Sequence, residues 1–213
     1  MRIVLLGKPG AGKGTQAERL SRGFGFYHLS SGEVLREEIN RGTDLGREIQ
    51  QYVEKGEIGP EKLITRVMLN FIEEKDIANN LLLDGFPRTV YQAEKLDERY
   101  PPDLCLLLNI SDSEAIRRLS NRYICKACGK PYQVEESGSP AEKCEECGGE
   151  LVQREDDTPE AIRNRLRVFR DEVDPVISLY RGQGILVTLD GSLPREEVYN
   201  NIRFAIMKIV GPN

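Results

Sequence analysis

The chain has 213 residues, of which 39% are hydrophobic and 31% are charged, and its formal net charge is −5. This length supports one main domain with small insertions, and no apolar run approaches the roughly 20 residues that a membrane-spanning helix needs. A protein that coats nucleic acid needs a basic surface, so the acidic balance excludes that class, and we expect neither a membrane nor a nucleic-acid partner.

The first residues, Met1–Leu6, enter an apolar strand directly. They lack the basic segment, the longer apolar stretch and the small-residue cleavage site of a signal peptide. We therefore expect a cytoplasmic protein, and we expect it to act as a monomer.

Short apolar runs alternate along the chain with longer segments of helical periodicity. This pattern is typical of an α/β protein built on a buried parallel sheet. The runs are Arg2–Leu6, Leu81–Leu83, Leu104–Ile110 and Ile185–Leu189, and Tyr27–Leu29 is a shorter candidate for a fifth strand.

A phosphate-binding loop follows the first run. Gly7–Lys13 reads G-K-P-G-A-G-K and matches G-x-x-x-x-G-K between a predicted strand and a helix that begins near Gly14. Backbone N–H groups of such a loop turn toward phosphate oxygens, and Lys13 adds a point charge. A glycine-rich turn without a ligand is the alternative, which the strand and helix context disfavours. Because Gly14 stands where Ser or Thr is usual, the hydroxyl expected near Mg²⁺ moves to Thr15.

Two regions interrupt the alternation of strands and helices. The first, about Ser31–Pro60, is polar, helical in pattern and punctuated by glycines, and the second, about Arg122–Asp157, has almost no core-forming run. Both are expected to be excursions from the main sheet. His28, the only histidine, precedes the first excursion and is expected to be structural.

The motif D-G-F-P-R-T, Asp84–Thr89, follows the run Leu81–Leu83. Asp84 would therefore lie at the carboxyl end of a strand near the phosphate loop, where open α/β sheets bind ligands. Its expected task is to hold Mg²⁺ or the water molecules around it.

Four cysteines in the second excursion have the spacing of a zinc site. They read C-x₂-C, then 15 residues, then C-x₂-C. They are Cys125, Cys128, Cys144 and Cys147. Four thiolates complete a tetrahedral shell with no open position, so we expect a structural metal. Iron would fit the same ligands, whereas a disulfide pair is disfavoured in a cytosolic chain. Cys105, in the run Leu104–Ile110, is expected to be a core residue.

Two helices are predicted after the second excursion. Thr158-Pro159-Glu160 is a helix start, and an apolar stripe follows it. The stripe comprises Ile162, Leu166, Phe169 and Val173. The chain is expected to end in a helix with one apolar face, formed by Val198, Ile202, Ala205, Ile206 and Ile209.

Three stretches together resemble the nucleoside-monophosphate kinases, and the adenylate kinases most of all. They are G-K-P-G-A-G-K-G-T at Gly7–Thr15, L-S-S-G-E-V-L-R at Leu29–Arg36, and D-G-F-P-R-T with Gln92. With the four-cysteine segment and the C-terminus, the likeness covers essentially the whole chain. It implies a P-loop kinase fold with a central parallel sheet flanked by helices, in which 1–30, 61–121 and 158–213 form the core. It also implies a helical AMP-binding insertion, 31–60, and a small zinc-binding lid, 122–157.

The resemblance implies a reversible, Mg²⁺-dependent transfer, ATP + AMP = 2 ADP, with closure of the lid and of the AMP-binding insertion. The implied catalytic residues are Lys13, Asp84, Arg88, Arg122, Arg154 and Arg165. The implied ATP-binding residues are Gly10, Ala11, Gly12, Lys13, Gly14, Thr15, Arg122, Pro131, Tyr132 and Leu193. The implied AMP-binding residues are Ser31, Arg36, Glu57, Ile58, Gly59, Gly85, Phe86, Pro87, Arg88, Gln92, Arg154 and Arg165.

Some of these roles have a chemical reason in the residue type. Arg36 and Arg88 can fork onto a phosphate, although arginines are as often simply solvated. Gln92 offers a donor and an acceptor, which together can read an adenine edge. Phosphoryl transfer then needs no histidine, because positioning and charge neutralisation suffice.

The chain also departs from the family pattern. Ser31 stands where most adenylate kinases have Thr, and Tyr123 follows Arg122 where Arg-Arg is common, so at most one arginine comes from that place. Asp156 and Asp157 resemble a family pair that holds the closed lid. The charged residues Arg163, Arg167 and Arg170 are expected on the surface, since they avoid the apolar stripe.

Two rival functions stay open on the sequence. A uridylate or cytidylate kinase of the same family is kept open by Ser31 and disfavoured by Gln92 and the long lid. A P-loop switch or a zinc-ribbon binding module is disfavoured by the acidic charge, by D-G-F-P-R-T and by the absence of a guanine-reading N-K-x-D motif.

Overall fold

The computed structural model describes residues 1–55, 59–134, 143–154 and 157–210. Five parallel strands form its central sheet, as the apolar runs predict. They are β1 (Arg2–Gly7), β2 (Tyr27–Ser30), β3 (Leu81–Asp84), β4 (Leu104–Asn109) and, later in the chain, β8 (Leu186–Asp190). Their spatial order is β2-β3-β1-β4-β8, so the short candidate at Tyr27–Leu29 is confirmed as an edge strand.

The strand register brings the polar carboxyl ends together. Asp84 pairs with Leu5 on one side and with Ser30 on the other, and Gly7 pairs with Leu108. The last residue of β3 therefore lies beside the phosphate loop, and the site is built at this edge.

Helices cover both faces of the sheet. The first six are α1 (Lys13–Phe24), α2 (Ser31–Asn40), α3 (Asp44–Glu54), α4 (Glu61–Glu74), α5 (Val90–Arg99) and α6 (Asp112–Ser120). Three more follow the cysteine segment, α7 (Pro159–Val168), α8 (Asp174–Gly182) and α9 (Arg195–Val210).

The alternation of β1 divides the core into two layers. Val4 and Leu6 face a cluster that includes α4, α5 and α8, whereas Ile3 and Leu5 face a cluster that includes α1, α6 and α9. Each layer is closed by apolar helix faces, because a parallel sheet with apolar residues on both sides must be covered on both sides. Cys105 is fully buried in the first layer, as predicted.

The apolar stripe after Thr158 is buried throughout, but its residues do not all pack against the same core layer. A π-helical turn, Phe169–Val173, separates α7 from α8. Ile162 and Leu166 pack in one core layer, while Phe169 and Val173 pack in the other. The wider turn rotates the stripe across the edge of the sheet, which a straight helix could not do.

The C-terminal helix α9 agrees with its predicted face at four positions out of five. Val198, Ile202, Ala205 and Ile206 are buried, whereas Ile209 is 49% exposed. The prediction for Ile209 is wrong, because its side chain does not pack against the core cluster.

The cysteine segment contains a second, antiparallel sheet that the sequence did not predict. Its strands are β5 (Arg122–Cys125), β6 (Pro131–Gln133) and β7 (Leu151–Gln153), in the order β6-β5-β7. Strands of three or four residues are too short for a periodicity of two to stand out. Among the residues described, every helix is too short or too polar to cross a membrane.

Candidate functional site

The phosphate loop joins β1 to α1, and its backbone is arranged as the motif predicts. Gly12 precedes α1 with a left-handed φ of 86°, a conformation that favours glycine. The cap residue Gly12 has no side chain to bond the N–H groups of the first turn, and such groups at a helix N-terminus suit an anion. Lys13 Nζ donates to the carbonyl oxygens of Gly7, at 2.7 Å, and of Lys8, at 3.1 Å. The lysine thus lies folded over the loop.

The charge of Lys13 is strongly influenced by its surroundings. Burial is the largest effect and lowers the pKa of Lys13 to about 8, against the opposing effect of Asp84. Arg88, Arg165 and Arg122 lower the pKa further. Electrostatic repulsion between Lys13 and three guanidinium groups shows that positive charges converge at this site. Such a site suits a polyanionic ligand.

Asp84 lies at the end of β3, beside the first turn of α1. A Cβ added to Gly14 would be 3.6 Å from Asp84 Oδ2, an ordinary contact distance, so the carboxylate lies against the first turn of the helix. Burial opposes its ionisation, but the nearby His28 ring and the charges of Lys13 and Arg88 hold the pKa of Asp84 below its ordinary value. The carboxylate is therefore ionised and can face a cation.

His28 is part of this site, although its position beside a strand suggested only a structural role. Its Nε2 lies 3.5 Å from Asp84 Oδ2 across the neighbouring strands β2 and β3. Burial disfavours the protonated ring, yet Asp84 raises the pKa of His28 above its ordinary value. The residue spacing gave no signal for this contact, because strand pairing creates it.

Gly85 is the point at which the D-G-F-P-R-T motif meets α2. Its carbonyl oxygen accepts hydrogen bonds from Ser31 Oγ and Arg88 Nε, both at 2.7 Å. At φ +77°, a Cβ on Gly85 would lie 2.8 Å from Ser31 Oγ and 2.9 Å from Arg88 Nη2. Glycine is therefore required, and it joins a residue of the first excursion to an arginine of the core.

Arg36 lies on the same helix as Ser31, one turn further on. A Cβ on Gly32 would be 3.1 Å from Arg36 Nη1, so the guanidinium lies close against the helix backbone. Gly32 therefore permits this position of the Arg36 side chain.

Gln92 is 1% exposed, and its amide has one free end. The oxygen Oε1 accepts the backbone N–H of Arg88 at 2.8 Å. The nitrogen Nε2 is buried and has no partner among the described residues. The sequence suggested that Gln92 offers both a donor and an acceptor to a base. One lone pair of Oε1 is thus taken by the backbone of Arg88, whereas the N–H₂ group is left for a ligand, and the reading of a base by Gln92 stays a prediction.

A fully buried carboxylate joins two of the predicted arginines. Asp157 Oδ1 accepts from Arg122 Nη2 at 2.6 Å and from Arg165 Nη1 at 2.9 Å, and Oδ2 accepts from Arg122 Nε at 2.7 Å. The backbone N–H of Asp157 donates to Arg154 O, so Arg154 is adjacent. The structure thus brings the side chains of Arg122 and Arg165 together and the main chain of Arg154 beside them, while Asp156 lies outside the described residues.

Two neighbouring cavities lie beside the residues of the site. One, of about 90 Å³, is lined by Lys13, Arg88 and Arg165 together with Gly85 and Pro87. The other, of about 460 Å³, lies between the first excursion and α7, and its lining comprises Tyr52, Gly59, Glu61, Thr89, Arg167, Val168, Asp171 and Glu172. Because Val168 lines both, the small cationic cavity and the larger one are neighbours. The larger has the volume of a typical small-molecule site.

Arg118 also belongs to this region, although its sequence position did not predict it. It donates to the carbonyl oxygens of Gly10, Gly191 and Ser192, at 3.4, 3.0 and 3.4 Å. Arg118 therefore ties the phosphate loop to the turn after β8, where Leu193 packs against the core. Two consecutive basic residues in the last turn of α6 were the only available signal.

Asn164 was not predicted from its sequence position either. Its Nδ2 donates to Lys55 O, which joins α7 to the end of the first excursion. Its Oδ1 accepts from Arg167 Nη2 at 2.8 Å, so the orientation of the amide is held from both sides. Asn and Arg on a solvent-facing helix stripe carry no sequence signal for such a contact.

Several predicted residues occupy other surroundings. Phe86 is a fully buried core residue, so its side chain does not face a ligand site. Pro131 is exposed and Tyr132 is half-buried in the small sheet. Arg163, Arg167 and Arg170 are exposed, as predicted. Glu57 and Ile58 lie outside the described residues.

The four cysteines converge, as their spacing predicts. Their sulfur atoms all lie within 4.8 Å of one another, with Cys125 Sγ to Cys147 Sγ at 3.4 Å and Cys128 Sγ to Cys144 Sγ at 3.6 Å. Sulfur atoms of a disulfide lie at about 2.0 Å, whereas a tetrahedral zinc with Zn–S of about 2.3 Å places its ligands about 3.8 Å apart. Two tight turns, closed by Gly129 N to Cys125 O and Gly148 N to Cys144 O, present the sulfurs. The residues fit a tetrahedral thiolate-bound metal.

The fold and the site define a class of protein. A parallel sheet whose central strand ends in a phosphate loop, facing an acidic strand end and a cluster of arginines, is the arrangement of a P-loop kinase.

The comparisons with known proteins identify the family. The adenylate kinase family model matches residues 5–185. The chain is 43% identical to the adenylate kinase of Thermodesulfovibrio yellowstonii, over 95% of this chain and 97% of the relative. It is 38% identical to the adenylate kinases of Lachnospira eligens, over 99% and 100%, and of Methanothrix thermoacetophila, over 98% and 99%. The chain belongs to the adenylate kinase family.

Proposed function

We propose that the protein catalyses the reversible, Mg²⁺-dependent transfer of a phosphoryl group from ATP to AMP, which yields two ADP. The observation that carries the proposal is the convergence of Lys13, Arg88 and Arg165 on one small cavity at the end of the sheet. A transferring phosphoryl group carries negative charge on its equatorial oxygens, and catalysis of its transfer is mostly positioning and charge stabilisation.

In this proposal the phosphates of ATP lie along the loop Gly10–Thr15 and the phosphate of AMP lies against Arg36 and Arg88. The AMP nucleoside occupies the larger neighbouring cavity, which Gly59 and Thr89 line, and Thr89 Oγ1 accepts the backbone N–H of Gln92. The unpartnered N–H₂ group of Gln92 would donate to an acceptor such as N1 of adenine, whereas it would oppose the N1–H of guanine. Ser31 donates to Gly85 O, so its role is to support that turn.

Mg²⁺ accompanies ATP, and Asp84 with Thr15 is the donor set that would hold it or the water molecules around it. An ionised carboxylate next to the phosphate loop suits an octahedral, oxygen-bound cation. A bound Mg²⁺ would supply neutralisation of the phosphate oxygens. Lys13, Arg88 and the pair Arg122 and Arg165 would align the two nucleotides and exclude water.

We propose the domain division that follows from these roles. The core comprises 1–30, 61–121 and 158–213, the AMP-binding insertion 31–60 and the lid 122–157. The lid and the insertion would close over both nucleotides, since the arginines on either side of Asp157 complete the site only together. A bisubstrate analogue is expected to shorten the distance between labels on the lid and on the main sheet, and an unchanged distance would contradict closure.

The metal of the lid is proposed to be zinc with a structural role, because four thiolates leave no position for water or substrate. The proposal further places the enzyme in the cytoplasm and takes it to act as a monomer.

The test of the function is a direct assay. The protein is mixed with Mg²⁺ and ATP and, in separate reactions, with AMP, GMP, CMP or UMP, and diphosphate formation is measured. ADP formation with AMP, well above that with the other monophosphates, is expected. Preference for UMP or CMP would establish the rival kinase function, and no transfer to any of them would refute the proposal.

A matched pair of variants connects the assay to the cavity. Arg88→Ala is expected to lose on the order of 10²-fold or more in turnover, as removal of a contact to transition-state charge does elsewhere. Arg163→Ala, on the exposed face of α7, is expected to keep the wild-type rate. Near-normal turnover of Arg88→Ala would remove this residue from the site.

A further inference from the structure

We propose that Tyr132 is a positioning residue of the metal centre, whose hydroxyl group donates a hydrogen bond to the thiolate of Cys144. Tyr132 Oη lies 3.2 Å from Cys144 Sγ. This inference concerns the metal-bound lid alone, so it stands or falls independently of the phosphotransferase activity.

The direction of this hydrogen bond follows from a second contact of the same oxygen. The backbone N–H of Glu145 donates to Tyr132 Oη at 3.1 Å. The oxygen is therefore an acceptor toward Glu145, and its own hydrogen is left for the sulfur. A metal-bound cysteine is a thiolate without a hydrogen, so it can only accept.

Tyr132 links the two halves of the metal site. The first pair, Cys125 and Cys128, belongs to the turn that β5 and β6 enclose, and Cys125 N donates to Lys130 O at its base. Tyr132, two residues further along β6, reaches across to a ligand of the second pair. The phenol thus fixes the distance between two cysteine turns that the segment after β6 separates along the chain.

A hydrogen-bond donor at this sulfur would stabilise the negative charge of the metal site. A divalent ion with four thiolates carries two net negative charges, which hydrogen-bond donors around the sulfur atoms stabilise. The backbone N–H of Cys128 already serves Cys125 Sγ at 3.4 Å. For Cys144 Sγ, the hydroxyl of Tyr132 supplies the corresponding donor from a side chain.

The assignment also changes what Tyr132 can do for a nucleotide. The phenol oxygen is committed to the metal centre, while Lys130 Nζ lies 5.8 Å from the centroid of the ring. The hydroxyl hydrogen of Tyr132 is then not available to a ligand, whereas the ring and the backbone are. The same residue therefore couples the metal centre to the strand that the family resemblance assigns to ATP.

The test compares Tyr132→Phe with Tyr123→Phe in the zinc-loaded full chain. Tyr123 is the direct partner of Tyr132 across the β5–β6 pair, and among the described residues its hydroxyl makes no hydrogen bond, so the control removes the same atom from the same sheet. With an excess of a chromophoric chelator, Tyr132→Phe is expected to release zinc about 10- to 100-fold faster than the wild type. Tyr123→Phe is expected to release it at the wild-type rate.

A spectroscopic measurement separates the hydrogen bond from a general loosening of the lid. In the cobalt(II)-loaded proteins, loss of a donor to a thiolate raises the energy of the sulfur electrons. The thiolate-to-cobalt charge-transfer band of Tyr132→Phe should therefore shift to longer wavelength, with no shift in Tyr123→Phe. Faster release together with this shift supports the proposal, and any other combination of the two results overturns it.

A milder replacement should change the zinc release rate and the charge-transfer band in the opposite direction, and it is not expected to disturb folding. 3-Fluorotyrosine at position 132 keeps the side chain and makes its hydroxyl a stronger donor. Zinc release is then expected to slow, and the cobalt charge-transfer band is expected to shift to shorter wavelength. An unchanged rate and band in this protein would refute the proposal.

Discussion

At the scale of single residues, the site depends on how charge is held in a buried position. Lys13 is surrounded by its own loop carbonyls, by Asp84 and by arginines of three other segments. Its lowered pKa means that the positive charge is held at a cost until phosphate oxygens arrive. A bound anion would therefore stabilise the charged lysine, and without an anion the lysine loses its proton at a lower pH than an ordinary lysine.

The first prediction is that deprotonation of Lys13 lowers kcat/KM for Mg·ATP at alkaline pH. With a pKa of about 8 in the free protein, Lys13 loses its proton as the pH rises through 8. The value of kcat/KM for Mg·ATP is thus expected to fall above that pH, with a slope that approaches −1 on logarithmic axes. For AMP at saturating Mg·ATP this decrease should be absent below about pH 9.5, because bound phosphates stabilise the charged lysine. A constant kcat/KM for Mg·ATP from pH 7 to 9.5 would contradict the assignment.

The second prediction concerns the free donor of Gln92. Gln92→Glu keeps an acceptor for the Arg88 N–H but replaces the buried N–H₂ by a carboxylate oxygen. We expect the KM for AMP to rise at least about 10-fold, since an acceptor would then face the acceptor of adenine. The KM for ATP should change less than about twofold. Steady-state kinetics with each nucleotide varied in turn measure both, and an equal loss for ATP and AMP would mean that Gln92 only supports Arg88.

At the scale of secondary-structure elements, α7 connects three parts of the site. Arg165 points to Asp157 and the lid arginine Arg122, while the preceding residue, Asn164, bonds to Lys55 O at the end of α3. Two neighbouring positions on one helix thus reach both excursions. The π-helical turn that follows fixes where α7 ends and which core layer receives Phe169 and Val173.

The third prediction tests the contact between α7 and the first excursion. Asn164→Ala and Asn164→Asp both remove the N–H that meets Lys55 O, and the aspartate variant keeps the shape of the side chain. One hydrogen bond contributes about 0.5–1.5 kcal/mol, so the KM for AMP is expected to rise about 2- to 10-fold with little change for ATP. Arg163→Ala, at the adjacent exposed position, is the control. Wild-type AMP kinetics in both Asn164 variants would show that this contact does not position the insertion.

At the scale of the whole molecule, two means of stabilisation coexist. The main sheet is held by two apolar layers, whereas the small sheet β6-β5-β7 has strands of three or four residues and little apolar sequence. A module of this size commonly needs a metal, because its core alone does not offset the loss of chain entropy. Metal loss should therefore affect the lid more than the phosphate loop.

The fourth prediction is that zinc removal destabilises the protein while activity persists at low temperature. Structural zinc contributes about 10 kcal/mol or more to isolated zinc modules, and even a fifth of this would correspond to a loss of roughly 4–8 °C in the thermal midpoint here. Metal content, melting curve and turnover are measured on one apo preparation and on Cys128→Ser. Zinc should restore the midpoint of the apo wild type but not that of the variant. Activity abolished while the lid stays folded would instead make the metal catalytic.

The features that could be predicted from the sequence are those that contiguous residues create. The phosphate loop, the strand before it, the C-x₂-C turns and the N-cap at Thr158 are local, since each needs only neighbouring residues in a given backbone conformation. The apolar runs likewise predicted the parallel sheet, because strands covered on both faces must be apolar throughout.

Which distant side chains contact one another depends on the folded arrangement of the elements. The contacts of His28 with Asp84, of Asn164 with Lys55 and of Tyr132 with Cys144 join residues whose spacing along the chain has no periodicity. Strand order, register and the path of the helices set such contacts. For the same reason the free end of Gln92 could not be known from its residue type, since a backbone N–H four residues earlier takes the acceptor once the chain has folded.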